Sequence, residues 1–203
     1  YFFASMMGAT VHLVSVQENL DPVKSDLGLA IQPTIKLDDL KPGVDLFVIP
    51  GGSRTDEVLA NSDLMQKLAP HAAEAQAVAG VCTGSLVLGQ LGLLSDLEAT
   101  THWIAHDLLR DFGAKPVKQR FVDHGSVMTA AGVTAGMDLA IHYVAKQRGE
   151  DYAKVLELQG EYDPAPPFGC GTPDKAGVEL SGIAADIFAM LVDRLKKSRQ
   201  PRT

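Results

Sequence analysis

The sequence is poor in cysteine: Cys82 and Cys170 are its two thiols in 203 residues. That is too few for a disulfide scaffold and points to a reducing compartment. A Cys82–Cys170 bridge is not expected, because pairing needs a geometry that spacing alone does not supply. No apolar run reaches the ~20 residues that span a bilayer, and no signal peptide is legible. A cytoplasmic location, with no membrane partner, is therefore expected. Lys/Arg clusters are missing outside the tail Arg194–Arg202, and the net charge is −7, which argues against a nucleic-acid partner. The tail itself reads as a solvated, fraying end. Internal repeats, low-complexity tracts and inter-domain linkers are also lacking.

What is present is ordinary globular material, 46% hydrophobic and 21% charged, and long enough to bury a core without staples. Tyr1–Met7 reads as the tail of a helix closed by Gly8 in a left-handed cap. A first strand, a turn and the start of that helix are expected ahead of Tyr1. Strands are predicted over Val11–Val16, Leu46–Ile49, Ala77–Val81, Ala99–Thr101, Val117–Val122 and Ser126–Ala130, the last two joined by an Asp123-His124-Gly125 turn. Helical spacing places Leu64, Leu68 and Ala72 on one face, with Ser62 as cap. Further helices are predicted from Trp103 to Phe112 and after Thr134 and Asp151. A last one runs from Val178 to Lys196, burying Leu180, Ile183, Ile187, Leu191 and Leu195. Pro164–Pro173 breaks regular structure. Continuous apolar strands alternating with amphipathic helices imply a mostly parallel sheet covered on both faces.

Such sheets bind ligands beyond the carboxyl ends of their strands. Two features lie there: Pro50-Gly51-Gly52, and Cys82 within Gly80-Val81-Cys82-Thr83-Gly84. The second has the Gly-x-nucleophile-x-Gly spacing of a strand-to-helix elbow, with Cys in place of Ser. The glycines let the chain turn sharply and keep side chains off the sulfur. The helix start offers N–H groups and a positive dipole end, which favour thiolate, the reactive form. A free cysteine after an apolar strand more often just fills core; the flanking glycines and the strand–turn–helix context favour the reactive reading. Gly51-Gly52 also has a plain reading as a tight turn, and Thr83 as a helix cap.

The order Pro50-Gly51-Gly52, Val81-Cys82-Thr83-Gly84-Ser85, Ala99-Thr100-Thr101-His102-Trp103 and Thr134-Ala135-Gly136-Met137-Asp138 resembles the ThiJ/PfpI superfamily, which is class I glutamine amidotransferase-like. Leu158-Gln159-Gly160-Glu161-Tyr162-Asp163-Pro164-Ala165-Pro166-Pro167-Phe168 resembles the C-terminal signature of the isonitrile hydratases. The likeness covers nearly the whole chain. It implies a flavodoxin-like three-layer α/β sandwich, one domain over 1–203 with a helical extension from about residue 174, forming a homodimer. It implies hydration of an isonitrile to an N-formamide without metal or organic cofactor. Cys82 falls on the family nucleophile. Thr83 falls on the next residue, whose N–H and hydroxyl serve the reacting atoms, and Gly52 N–H, beside Gly51, would be the second donor.

Two departures matter. The family acid, an Asp or Glu near the start of the first helix, matches no residue here; Glu18 and Asp56 fall off the motif and read as solvated carboxylates. Protease-like relatives carry His directly after the cysteine, where this chain has Thr83. His102 and His106 read as structural or surface residues, Trp103 as core or pocket wall, and Pro166-Pro167-Phe168 as a packing loop or a closure over the site. The alternatives to hydration are a glyoxalase or deglycase acting on reactive carbonyls, and a ligand-sensing module like that of AraC-type regulators.

Overall fold

The computed structural model describes residues 1–199. The chain runs α1 (Phe2–Met6), β1 (Val14–Ser15), β2 (Val23–Lys24), β3 (Ala30–Ile31), β4 (Ile35–Lys36), β5 (Leu46–Ile49), α2 (Thr55–Ala60) and α3 (Ser62–Glu74). It continues β6 (Ala77–Val81), α4 (Gly84–Gln90), β7 (Glu98–Ala99), a 3-10 segment Trp103–Phe112, β8 (Lys115–Pro116), β9 (Phe121–Asp123) and β10 (Val127–Ala130). The helices α5 (Ala135–Arg148), α6 (Glu150–Gln159) and α7 (Pro173–Ser198) complete it.

The main sheet has the order β5-β6-β10-β9, parallel except for β9. Alternation along its strands sorts side chains into two cores. Phe47, Ile49 and Val78 face the cluster formed with Leu59, Leu86, Leu88 and Leu109. Ala77, Ala79, Met128 and Ala130 face Leu139 and Tyr143 of α5. Helices thus cover both faces, as a continuous apolar strand such as Ala77–Val81 requires. The register matters more for function. Ile49 lies opposite Gly80, and Ala130 opposite Val81. The loops leaving β5, β6 and β10 therefore emerge side by side at one end.

Several boundaries differ from the sequence reading, for local reasons. Asn61, not Ser62, caps α3, its side chain accepting the Leu64 N–H at 3.0 Å. Thr134 precedes α5 without a side-chain capping bond; its hydroxyl accepts instead from Arg120. The strand expected over Val11–Val16 shrinks to Val14–Ser15, and that over Val117–Val122 moves to Phe121–Asp123. The final helix starts at Pro173 under a Thr172 cap, but Gly177 (φ 80°) interrupts it, so regular helix resumes near Val178.

Of the face predicted to be inward on α7, Leu195 is buried and Leu191 packs on the core, but Leu180, Ile183 and Ile187 are exposed. The tail is not simply solvated over its described part: Arg194, Lys197 and Arg199 bond to Asp56, Asp193 and Asp111. Residues 200–202 of that tail lie outside the described residues. No described helix is long and apolar enough to cross a membrane.

Asp123 ends β9 and gathers His142 Nε2 (2.7 Å), Lys146 Nζ (2.9 Å) and the Gly125 N–H (2.7 Å). Burial pushes its pKa up, but these donors outweigh burial and hold it at about 2, below the ordinary 3.8. A depressed carboxyl stabilises the fold above its unfolded pKa, and the contribution disappears as pH falls through the folded one. Asp123→Asn is expected to cost about 2 kcal/mol at neutral pH. The gap to wild type should close between pH 4 and about 2 in urea melts; a gap that ignores pH would disprove this.

Close approach at the elbow gives a second expectation. A Cβ at Gly84 would stand 2.1 Å from the Ile49 carbonyl oxygen, and both atoms are fixed by backbone. Gly84→Ala should cost about 3 kcal/mol, the upper range of overpacking. Gly125→Ala, with open space but φ +85°, should cost about 1 kcal/mol. Equal losses in chemical denaturation would refute the packing account.

Candidate active site

Cys82 stands where β6 gives way to α4, with φ 57°, one of three positive-φ residues other than glycine among the described residues. That left-handed conformation is costly for a side chain bearing Cβ, so its neighbours must impose it. The Cys82 N–H donates to the Ala130 carbonyl at the end of β10 (3.0 Å), and its carbonyl accepts the Ser85 N–H (3.3 Å). The buried Thr101 hydroxyl donates to the same carbonyl at 2.6 Å. Three segments therefore grip the backbone of one residue.

The elbow glycines serve packing rather than clearance around the sulfur. A Cβ at Gly80 would meet Ser85 Cα at 2.6 Å, and one at Gly84 would strike the Ile49 carbonyl. Gly51 is the glycine nearest the reactive end: its Cβ would lie 2.5 Å from Thr83 N and Oγ1 and 3.0 Å from Cys82 Cβ. The parallel pairing of β5 and β6 thus brings the diglycine loop onto the elbow, as the strand ends led one to expect.

Thr83 is 3% exposed and Thr55, the first residue of α2, is 4% exposed. Their hydroxyl oxygens are 2.8 Å apart. The Gly52 N–H donates to both, at 3.1 Å to Thr83 and 3.2 Å to Thr55. The Thr55 hydroxyl reaches the Gly52 carbonyl at 2.9 Å. The Gly52 N–H, expected beside the sulfur, is thereby engaged within this network, and both donors at the sulfur belong to Thr83. Thr83 occupies the N-cap position of α4 but makes no side-chain capping bond.

The half-buried Cys82 thiol does not ionise as easily as its place at a helix start suggests. Burial pushes its pKa above the ordinary value, while the Thr83 N–H and hydroxyl pull it down without prevailing. Helix α4 spans only Gly84–Gln90, and a short helix offers a modest dipole. Cys82 and Cys170 are both free thiols, the latter exposed.

Asp26 was not singled out by the sequence. It sits in the turn between β2 and β3, accepts the Ser53 N–H at 2.7 Å, and lies 3.2 Å from where a Gly52 Cβ would be. The signal available was weak, a Ser-Asp-x-Gly turn with no marked partner. Asp56 also differs from expectation. It is 9% exposed, not solvated. Arg194 of α7 donates to its Oδ2 at 2.9 Å and to the Ser53 carbonyl at 3.0 Å, while its Oδ1 is buried without a partner. Glu18 is exposed.

The remaining motif residues are mostly scaffold. Thr100 donates its N–H to Thr129 and its hydroxyl to the Gln119 carbonyl, both at 3.0 Å. His102 Nδ1 accepts the Ile104 N–H at 3.4 Å, which caps the 3-10 segment, and burial pushes its pKa down. It therefore stays neutral and structural. His106 Nε2 is buried and unpartnered. Trp103 walls an open cleft of about 640 Å³ against Pro173, Gly177, Val178 and Ser181 of α7. Tyr162 donates to Asp138 at 2.5 Å, and Arg120 bonds the same carboxylate. The two distant motifs are thus tied together. Phe168 is 86% exposed and packs no site in this chain. Among the described residues no three His, Cys, Asp or Glu gather as a metal site would require.

Comparison with known proteins bears on these residues. The chain is 44% identical to isonitrile hydratase of Pseudomonas putida over 173 residues, 85% of this chain and 75% of that protein. It is 32% identical over 140 residues to the HTH-type transcriptional regulator CdhR of Pseudomonas aeruginosa, spanning 68% of this chain and 41% of the regulator. The crystal structure of a ThiJ/PfpI family protein from Pseudomonas syringae superposes with a TM-score of 0.90 at 36% identity, covering 97% of this chain and 81% of that one. The DJ-1/PfpI family profile matches residues 1–146, from α1 through most of α5. With the sheet order, the elbow and that match in agreement, this chain belongs to the DJ-1/PfpI family.

Proposed function

We propose that this protein hydrates an isonitrile, R–N≡C, to the N-formamide R–NH–CHO, with Cys82 as nucleophile. One observation carries the reading: a cysteine held at positive φ at the carboxyl end of β6, with the N–H and hydroxyl of Thr83 both turned to its sulfur. The 44% identity to an isonitrile hydratase supports the substrate class.

The chemistry balances with the thiol and water alone. Sulfur bonds to the terminal carbon, and the thiol proton ends on that same carbon. This gives R–N=CH–S–Cys82. Water then adds across the C=N bond, oxygen to carbon and proton to nitrogen. The C–S bond breaks, the hydroxyl proton returns to sulfur, and the formamide leaves. Splitting the hydration in this way replaces one difficult step by two easier ones. Thr83 supplies donors for the charge that passes through sulfur. Gly51 leaves room for Thr83, and Gly52 holds the Thr83 hydroxyl in place. No residue of this sequence falls on the acid that the resemblance would assign to moving the proton. The homodimer and the cytoplasmic setting stay part of this proposal; light scattering of the purified protein checks the first.

Turnover of cyclohexyl isocyanide, read as formamide by chromatography, tests the reading. Cys82→Ala is expected to lose at least ~10³-fold in kcat/KM. Thr83→Val, which keeps the N–H, should lose up to ~10²-fold, the low end for an oriented donor. Formamide forming at the wild-type rate in Cys82→Ala would end the proposal. The match to a transcriptional regulator favours a second reading as a ligand sensor; tight isonitrile binding with no product would select it.

The state of the sulfur gives a separate expectation. Because burial raises the Cys82 pKa, iodoacetamide should react slowly at neutral pH in a Cys170→Ser background. The rate should climb with pH past the ordinary thiol range. A plateau reached below pH 8 would contradict the buried-thiol account.

A further inference from the structure

We propose that the cleft between Trp103 and the kinked start of α7 receives the organic group R of the isonitrile, and that this R is apolar and bulky. The inference rests on the reading of Cys82 above. None of the α7 residues of the cleft belongs to the motifs by which the chain resembles its relatives.

The cleft opens where α7 kinks. Gly177 at φ 80° breaks the helix after its first turn, and the part that follows packs along the 3-10 segment that Trp103 begins. Gly182 lines the cleft, and a Cβ there would meet nothing within 4 Å. Ala185 continues the same wall. The space of about 640 Å³ falls within the range of small-molecule sites.

The inner end of the cleft lies beside the elbow. One turn past Ala185, Phe188 meets the His102 ring edge-on, with centroids 6.1 Å apart, and His102 also packs on Trp103. His102 Cδ2 stands 3.9 Å from where a Gly132 Cβ would be. Gly132 comes two residues after Ala130, whose carbonyl accepts the Cys82 N–H, and His102 follows Thr101, whose hydroxyl donates to the Cys82 carbonyl. Because β6 lies between β5 and β10, the diglycine loop and the Gly132 loop flank Cys82 on opposite sides. The diglycine side is filled: a Cβ at Gly51 would stand 2.5 Å from Thr83 N and 3.0 Å from Cys82 Cβ. A carbon bonded to the half-buried sulfur therefore carries its R group toward His102 and the cleft.

The surroundings select the kind of R. Polar groups of the α7 wall are already engaged: the Ser181 hydroxyl donates to the Pro173 carbonyl at 3.2 Å, and Asp174 pairs with Lys118 at 3.1 Å. His102, neutral because burial pushes its pKa down, puts no charge at the inner end. Trp103, Val178 and Ala185 are left to touch R, and Val178 is 93% exposed until something covers it. An isonitrile group has no N–H or O–H to donate. Its binding therefore draws on the apolar area that R removes from water.

Trp103 is the single tryptophan of the sequence, so its emission reads the cleft without any need for turnover. In Cys82→Ala, which forms no thioimidate, cyclohexyl isocyanide is expected to change that emission saturably. Adding Gly182→Leu fills the cleft and should raise the half-saturating concentration at least ~10-fold. With Cys82 intact, kcat/KM for cyclohexyl isocyanide should exceed that for methyl isocyanide at least ~10-fold, and Gly182→Leu should cut this ratio at least ~10-fold. Leucine is a far better helix former than glycine, so the variant is expected to fold; Ala185→Met narrows the same wall and should repeat the result. Emission that ignores cyclohexyl isocyanide overturns the proposal, as does a size ratio that both variants leave unchanged. A saturable response, weakened by Gly182→Leu, in a protein that makes no formamide would defeat the hydration and leave the cleft standing. Formamide production with a size ratio indifferent to both variants would do the reverse.

Discussion

Everything at this site depends on Cys82 being held in a left-handed backbone conformation. A side chain at positive φ costs on the order of 1–3 kcal/mol, and nothing in the residue itself repays that. The hold comes from β10, through the Ala130 carbonyl, and from the Thr101 hydroxyl and Ser85 N–H on the Cys82 carbonyl. The first of these reaches Cys82 because β6 lies beside β10 in parallel register; the Ser85 N–H is a local turn contact. The sheet order therefore constrains the elbow as well as the core. A slip in the β6–β10 pairing would take the Ala130 carbonyl away from the Cys82 N–H and turn the apolar side chains of the strand to the wrong face.

The protonation of the sulfur follows from the same placement. Taking Cys82 out of water disfavours the thiolate more than Thr83 favours it. A site built to keep a standing thiolate would need a nearby cation, and no Lys, Arg or His bonds the sulfur among the described residues. The addition written for an isonitrile has no such need. Its first step delivers both halves of the S–H bond to one carbon, so a thiol that still carries its proton is the reactant with the right stoichiometry. On the proposed reading, the charge separation as the proton leaves is what the site would have to lower, and the Thr83 donors would serve that interval. His after the cysteine would have supplied a base; Thr83 supplies donors without competing for the proton.

Much of this was legible in the residues. Period-2 burial, the apolar run Ala77–Val81 and the glycine spacing around Cys82 report local preferences, and the elbow formed where they placed it. Even the meeting of Gly51 with Cys82 followed from strand ends in a parallel sheet. The errors share a different character. Helical spacing on α7 showed an apolar stripe, but spacing cannot say whether a neighbour covers it, and Leu180, Ile183 and Ile187 are exposed. Ser62 and Asn61 are equally good caps by type, and only the backbone at Asn61 (φ −90°, ψ 95°) selects between them. The expected thiolate failed because a dipole argument ignores desolvation, whose size depends on packing that no motif encodes.

The loop after β5 shows why sequence stops short of the site. Gly51 to Asp56 is gripped from four directions. Asp26 takes the Ser53 N–H from a sequence separation of 27, and the Thr83 hydroxyl takes the Gly52 N–H from 31. Arg194 takes the Ser53 carbonyl from 141, and Thr55 closes the turn from within. Each contact is a single hydrogen bond, worth about 1 kcal/mol net, too little to leave a mark on composition or periodicity. Together they fix the diglycine loop against the elbow. The surroundings of Cys82 thus extend outward to a hairpin turn and to the last helix, through a loop whose own residues look like an ordinary turn.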